Sequence, residues 1–223
     1  MAYTHRIVCL ANSRKPGGSC VAGLEVTGPG LGKWIRPISA RPTEEVSLEE
    51  RRYQNGQDVQ LLDVVDIDFL EHRPHSCQVE NHVIDDNVHW RLVGKLPNNQ
   101  LRAHATAVGP LWLDASSSGK GLNDRVHGAD ADKLDHSLKL VLPGALRIRV
   151  VTAYGKRQVR AAFDLGEHQY DLTVTDPTLE TRYLAKADGE FPYPGEAVAC
   201  ISLGEPYKDG YRYKLVASII DLP

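Results

Sequence analysis

Apolar runs of roughly four to eight residues recur along the chain, rich in Val, Ile, Leu and Tyr and bounded by Gly, Pro, Asn or Asp. This is the punctuation of strands and turns, and signals for long helices are few. In the first half, RIVCLANSR, CVAGLEV and KWIRPIS predict three strands separated by KPGGS and TGPGLG, and LLDVVDIDFLEH predicts a fourth, longer one. The polar excursion before it, RPTEEVSLEERRYQNGQD, predicts a short helix, because Ser47 stands as an N-cap ahead of Glu49, Glu50 and then Arg51 and Arg52. From about Arg73 to Leu140 the pattern loosens. Cys77 to Ile84 and HWRLVGKL predict strands, and NNQLRAHATAV predicts a weak helix opening at Asn98 or Asn99. The small and polar stretch LDASSSGKGLNDRVHGADAD reads either as a domain linker or as a functional loop.

After SLKLVLP the pattern sharpens. LRIRVVTAY, KRQVRAAFDL and HQYDLTVTD predict three strands joined at Gly155 and at Gly166-Glu167, the meander of a small antiparallel barrel. A short helix opens at Thr178 after Asp176-Pro177 and runs to about Ala187; AVACISLGEP and YRYKLVASIIDL then form a hairpin around Lys208, Asp209 and Gly210. Strands with a helix before the last pair are what half of a two-barrel protein shows, and the first half of the chain offers a comparable set. The expected fold is therefore mainly β, two small antiparallel β-barrels with short inserted helices. The first barrel with its helical excursion takes residues 1–112, the linker or functional loop 113–137, and the second barrel 138–223.

A chain of 223 residues, 42% hydrophobic and 25% charged, buries enough surface to fold without metal or disulfide staples. Cys9, Cys20, Cys77 and Cys200 lie far apart, three of them inside apolar runs, and read as reduced, structural thiols. The N-terminal apolar run is too short for a signal-peptide core and no stretch approaches the ~20 residues of a membrane span, so a soluble, cytoplasmic protein with no membrane partner is expected. With 26 Lys+Arg against 29 Asp+Glu, bulk positive charge cannot coat a nucleic acid; polyanion binding must use a local patch.

Two segments offer such a patch. In NSRKPGGSCVAG and GKWIRPIS, Ser13, Arg14 and Lys15 end one strand, the Gly17-Gly18 pair lets backbone amides approach a ligand, and Trp34 and Arg36 project from one strand face with Ile35 on the other. Guanidinium beside indole holds a phosphate and stacks a base, against the plainer alternative of a packed Trp34 and a solvated arginine. In the later hairpin, a turn at Gly155-Lys156 pairs Tyr154 with Arg157, Val151 with Arg160 and Arg149 with Ala162. One face then carries Ile148, Val150, Thr152, Tyr154, Val159, Ala161 and Phe163, and the other carries Arg147, Arg149, Gln158 and Arg160 with no acidic residue. That strip suits a polyanion, or a solvated edge with ion pairs to carboxylates elsewhere.

Other motifs carry less. SSSGKG lacks the spacing of a phosphate-gripping P-loop, with Gly121 where Ser or Thr should follow Lys120, although Asn123, Asp124 and Arg125 could order that loop over a ligand. His72, His75, Cys77 and His82 lack a CxxC or HExxH partner, and Asp176 near Asp171, Glu180 and Lys186 is more simply a helix cap than a nuclease centre. No catalytic residue, metal or cofactor is assigned.

The strings NSRKPGGSCVAGLEV with GKWIRPIS, the Asn-Asp-Arg triplet at 123–125, and CISLGEPYKDGYRYKLVASII resemble the dual-OB domain family, prokaryotic proteins that pair two OB-type barrels and are associated with conflict and defence systems. The resemblance spans nearly the whole chain and implies two OB-like barrels with a nucleic-acid-binding role by analogy with OB folds at large. The three Phe and three Trp are few for a single-strand binder, which leaves nucleotide-sized or strand-end ligands open. The reading is a non-enzymatic module of a defence system that grips nucleic acid, single-stranded or an end structure. Ser13, Arg14, Lys15, Trp34, Arg36, Asn123, Arg125, Arg147, Arg149 and Arg160 are its candidate contacts. Two alternatives stand beside it: a sensor of a small nucleotide or modified base, and a protein-interaction adaptor that recruits an effector protein from the same operon.

Overall fold

A computed structural model describes residues 2–15, 17–28, 30–114, 116–153 and 155–223. Its contacts divide the chain into two units, residues 1–100 and 101–223. The first four strands of the first unit are β1 (Tyr3–Lys15), β2 (Gly18–Thr27), β3 (Gly30–Ile38) and β4 (Asp63–His72), with β5 (Asn81–Ile84) and β6 (Arg91–Lys95) after them. β1 is long because it serves two neighbours. Its start pairs with β4, Tyr3 opposite Phe69 through Val8 opposite Val64, and its end pairs with β2, Ile7 opposite Glu25 through Lys15 opposite Gly18. The order β1-β2-β3-β5-β4 thus closes back on β1, and β3 runs parallel to β5. This is a five-stranded Greek-key barrel of the OB type, with β6 added along β4.

Closure demands a sharp bend in β1, and the register slips by one residue between Cys9 and Ala11, the signature of a β-bulge. Opposite the bulge Gly23 cannot be replaced, since a Cβ there would lie 2.1 Å from the Val8 carbonyl oxygen. The core gathers Ile7, Cys9, Val21, Ile35, Val65, Ile67 and Phe69 from the strands, and Val46, Tyr53 and Val59 from the polar excursion. The excursion is not helical. Ser47 does cap, with the Glu50 amide donating to its Oγ at 3.2 Å and its own amide donating to Glu50 Oε2 at 2.6 Å, but only one turn forms before Tyr53 drops into the core and donates to Asp63. Residues 75–80 are turns, so the strand expected from Cys77 starts at Asn81.

A 3-10 helix, Asn98–His104, stands where the weak helix was expected. The second unit then runs β7 (Arg125–His127), the four-residue α1 (Gly128–Ala131), β8 (Leu138–Val141), β9 (Gly144–Ala153), β10 (Lys156–Leu165) and β11 (His168–Val174). α2 (Pro177–Leu184), β12 (Gly189–Pro192), β13 (Ala197–Pro206) and β14 (Tyr211–Asp221) complete it. The path β9-β10-β11-β14-β13, with β11 parallel to β14, repeats the strand order of the first barrel. Here the outer edges take other strands: β12 pairs with β9 and β8 with β13. The expected meander is present in β9-β10-β11; one parallel pair in each unit comes from the Greek-key return, a non-local pairing that no turn signal announces. Asp176 caps α2 by accepting from the amides of Thr178 and Leu179 at 2.8 and 3.1 Å, and burial raises its pKa.

The break in contacts falls at 100/101 because residues 101–137 are fastened to the second barrel. Leu101, Leu111, Val126 and Ala131 are buried, β7 pairs with β14, and Leu122 bridges Asp171. The turn of the hairpin β9–β10 falls one residue earlier than expected: Lys156 pairs with Ala153 and Arg160 with Arg149, which shifts each partner by two residues and leaves the side chains on their expected faces. Tyr154, assigned to the core face, lies outside the described residues.

Candidate functional site

In the first barrel Pro16 lies outside the described residues, and the β1–β2 hairpin brings Arg14 opposite Ser19 and Lys15 opposite Gly18. Arg14 is exposed, Lys15 half-buried and Ser13 buried. The glycine pair expected to receive an anion already faces one. A Cβ on Gly17 would meet Glu45 Oε1 at 2.8 Å, and one on Gly18 the Val46 carbonyl oxygen at 2.6 Å. The Thr43 hydroxyl donates to the buried Glu45 carboxylate and holds its pKa below the usual range. Trp34 is half-buried on β3, opposite Leu24. Arg36 shares its strand face but is 5% exposed, with Nη2 3.2 Å from Glu80, beneath the segment that carries Gln78 and Asn81. Its charge answers Glu80, so it reaches no ligand without local opening.

Elsewhere in the first unit, Tyr3, His5, Phe69, His72 and His82 form an aromatic cluster. His82 stacks on His72 at 4.6 Å between centroids, meets His5 edge-on at 5.0 Å, and its Nδ1 lies 2.7 Å from the Tyr3 hydroxyl. Among the described residues no group of three or more His, Cys, Asp or Glu is disposed to hold a metal ion.

The arginine strip of the second barrel resolves into three different environments. Arg160 is 2% exposed: its Nε donates to Asp171 Oδ1 at 2.8 Å, its Nη1 to the Thr173 hydroxyl at 2.9 Å, and its Nη2 to the Asp171 carbonyl oxygen. Arg149 also bonds Asp171, and both Arg149 and Arg147 face Glu190 on β12. The acidic partners come from β11 and β12, strands that the hairpin alone does not reveal.

Over Arg160 runs a strap, residues 116–124. Asp124 accepts from the Ser118 amide at 2.7 Å and from its hydroxyl at 2.6 Å, and lies 3.6 Å from Arg160 Nη2. Gly121 threads between them, since a Cβ there would lie 2.2 Å from Asp124 Oδ2 and 2.3 Å from Arg160 Nη2. Asn123 ties the strap to β11 by donating to the Gln169 carbonyl oxygen at 3.1 Å. One side of it is anchored by a buried polar network. Lys214 donates to the Leu113 carbonyl oxygen at 2.8 Å and to Asp114 at 3.0 Å, Tyr170 donates to Asp114 at 2.6 Å, and burial depresses the Lys214 pKa against the pull of Asp114.

Beside the strap opens a cleft of about 640 Å³ on the face of β10 and β11 opposite the core residues Val159 and Ala161. Lys120, Arg125, Gln158, Thr173, Tyr207 and Tyr213 contribute to its lining. Tyr207 is 61% exposed and meets Tyr213 edge-on at 5.8 Å. Arg125 rests 4.0 Å from the Tyr211 ring centroid, donates to Ser116 at 3.0 Å and lies 3.4 Å from Asp209, which also accepts from Tyr213 at 2.7 Å. Strand residues thus provide the floor and the β13–β14 hairpin an aromatic rim. Tyr207 and Tyr213 were missed by counting only Phe and Trp, since the sequence holds nine tyrosines and YKDGYRY places three of them around one turn; Lys120 was set aside with the P-loop spacing that SSSGKG lacks.

A small cleft over the second and third strands, rimmed by the hairpin between the fourth and fifth, defines an OB-type β-barrel binding module. The chain belongs to the dual OB-containing domain family, whose model matches residues 5–219. No curated protein and no solved structure matches it. Among the described residues no helix is long and apolar enough to cross a membrane.

Proposed function

We propose that the second barrel binds single-stranded nucleic acid without a catalytic step, a base stacking on Tyr207 and Tyr213 while Lys120 and Arg125 meet the adjoining phosphates. The observation that carries this reading is the coincidence of an aromatic rim, two cations and the polar ends of Gln158 and Thr173 in one cleft on the β10–β11 face. Stacking tolerates any base, and the cations supply sequence-independent attraction. Arg147 and Arg149 extend the track, Asn123 and Arg160 position the strap, and in the first barrel Arg14, Lys15 and Trp34 serve as further contacts; Ser13 and Arg36 hold that surface in place. The defence-system setting follows the family resemblance, and loss of phage protection on disrupting the cleft in its native host tests it.

Fluorescence-anisotropy titration against single-stranded DNA and RNA at several salt concentrations tests the binding. Four neutralised phosphates give a log–log salt slope of about -3, and flat titrations at low salt discard the reading. The limited volume of the cleft favours one alternative, a sensor for a single small nucleotide, for which thermal stabilisation by a nucleotide panel without any response to oligonucleotides is the distinguishing result.

A further inference from the structure

The strap has a second cleft on its other side, about 440 Å³, lined among others by Lys120, Arg147, Arg149, Gln169, Asp171 and Glu190. Gly119 and Lys120 line both clefts, so the two adjoin across the strap. Within this cleft a single carboxylate bridges two guanidinium groups: Glu190 Oε1 lies 3.1 Å from Arg147 Nε, and Oε2 lies 3.6 Å from Arg149 Nε. Two anionic oxygens presented to two arginines is the arrangement a phosphate makes. Arg149 has a second anchor in Asp171, itself held by Arg160, so its guanidinium stays in place when Glu190 swings away. Arg147, Arg149 and Glu190 are 43%, 35% and 50% exposed in their side chains, which makes the internal pairs weak and exchangeable. Glu190 also sits on β12, a four-residue strand at the end of the sheet path that, among the described residues, pairs with β9.

From this geometry we infer that the Arg147–Arg149 cleft is a separate phosphate subsite for the strand whose base occupies the tyrosine cleft, and that Glu190 is its resident competitor. The inference rests on the nucleic-acid reading above and adds to it a strand path of at least two nucleotides and an internal anion that sets its affinity. Lys120, common to both clefts, lies where the path crosses the strap.

The test compares the wild type with Glu190→Gln and with Arg147→Gln/Arg149→Gln, by anisotropy against a short oligothymidylate and by thermal shift with thymidine monophosphate. Glu190→Gln is expected to tighten oligonucleotide binding by about threefold or more and leave the mononucleotide response unchanged. The double arginine variant is expected to weaken oligonucleotide binding and flatten the salt slope by about 0.7, the share of one phosphate on a single strand. A wild type that stays silent at low salt overturns both this inference and the reading it rests on, whatever the variants do. Wild-type binding that Glu190→Gln leaves unchanged or weakens overturns the inference and spares the reading it rests on; no binding by any of the three proteins overturns both. All three side chains are partly exposed, and matched denaturation curves establish that the variants fold.

Discussion

In the first barrel Gly17 and Gly18 lie against Glu45 and Val46 at a hairpin tip, and the nearby Arg36 disappears beneath the segment carrying Gln78, Glu80 and Asn81. In the second barrel Gly121 lies against Asp124, and Arg160 disappears beneath the strap 116–124. Each barrel therefore takes an arginine from the non-core face of a strand and covers it with a segment that lies outside the five-strand frame. The difference is in what the covering leaves open. The strap of the second barrel crosses its sheet face and leaves clefts on both sides with cations and tyrosines at their margins, whereas the covering of the first barrel ends in an ion pair of Arg36 with Glu80. Identical strand order, then, sets where a ligand face can be, and the insertions decide whether it is a surface or an interior.

The strongest way to break this comparison is to remove the covered arginines. Arg36→Met takes a guanidinium from buried Glu80, and Arg160→Met takes one from buried Asp171 and Asp124; each is expected to cost about 3–5 kcal/mol of stability, read from denaturant midpoints. Arg14→Ala, on an exposed side chain, is expected to move stability by less than about 0.5 kcal/mol. If Arg36→Met and Arg14→Ala destabilised equally little, the first barrel's arginine would be a surface residue after all and the contrast would fail.

Next in size is the strap. Gly121→Ala forces Asp124 and Arg160 apart and is expected to cost about 1–3 kcal/mol and to weaken any oligonucleotide complex, whereas Gly119→Ala, whose Cβ meets nothing within 4 Å, is expected to leave stability unchanged. Tyr207→Ala sharpens the comparison from the ligand side. Its ring is exposed, so stability should hold while anisotropy records the loss of about 1–3 kcal/mol of stacking, and Trp34→Ala in the first barrel shows whether that unit contributes a comparable share.

Much of the fold was legible because strands announce themselves locally. The runs around Ile7, Val21, Val65, Val159, Leu172 and Val216 all became strands, and Asp176-Pro177 marked the start of its helix to within a residue, although the helix ends at Leu184, short of the expected Ala187. What sequence could not give was non-local. The parallel pairs β3–β5 and β11–β14 join segments far apart, and the carboxylates that answer the arginine strip, Asp171 and Glu190, lie on other strands. The excursion after β3 shows the same limit from another side. Ser47 and Glu50 form the capping pair that their spacing predicts, yet burial of Val46, Tyr53 and Val59 outweighs the local preference and stops the helix after one turn. The site was half legible: Arg125, Arg147 and Arg149 line clefts, but the tyrosine rim depends on how one hairpin faces one sheet.

The smallest expected effect separates the barrels by pH. His82 is buried at the centre of the aromatic cluster, and burial first, with His72, His5 and Lys33 adding to it, lowers its pKa from 6.5 to about 3. His72 Nε2 must donate to the Val79 carbonyl oxygen 2.6 Å away, His5 faces Glu25 at 2.5 Å, and Glu71 lies near Tyr3, so no carboxylate is placed to welcome a proton on His82 itself. A histidine whose folded pKa is depressed binds its proton in the unfolded chain first. Stability is therefore intact above pH 6.5 and falls as pH drops below it, by at most about 1.4 kcal/mol per unit, until the folded state titrates near pH 3. Between about pH 6.5 and 5.5, above the ordinary carboxylate range, this slope belongs to His82 in the first barrel. Urea midpoints followed by the fluorescence of Trp34 and Trp90, in a Trp112→Phe background that removes the second unit's signal, should decline across that window and stay level once His82→Phe is added. A decline that survives His82→Phe would assign the acid sensitivity to other groups and remove this distinction between the two barrels.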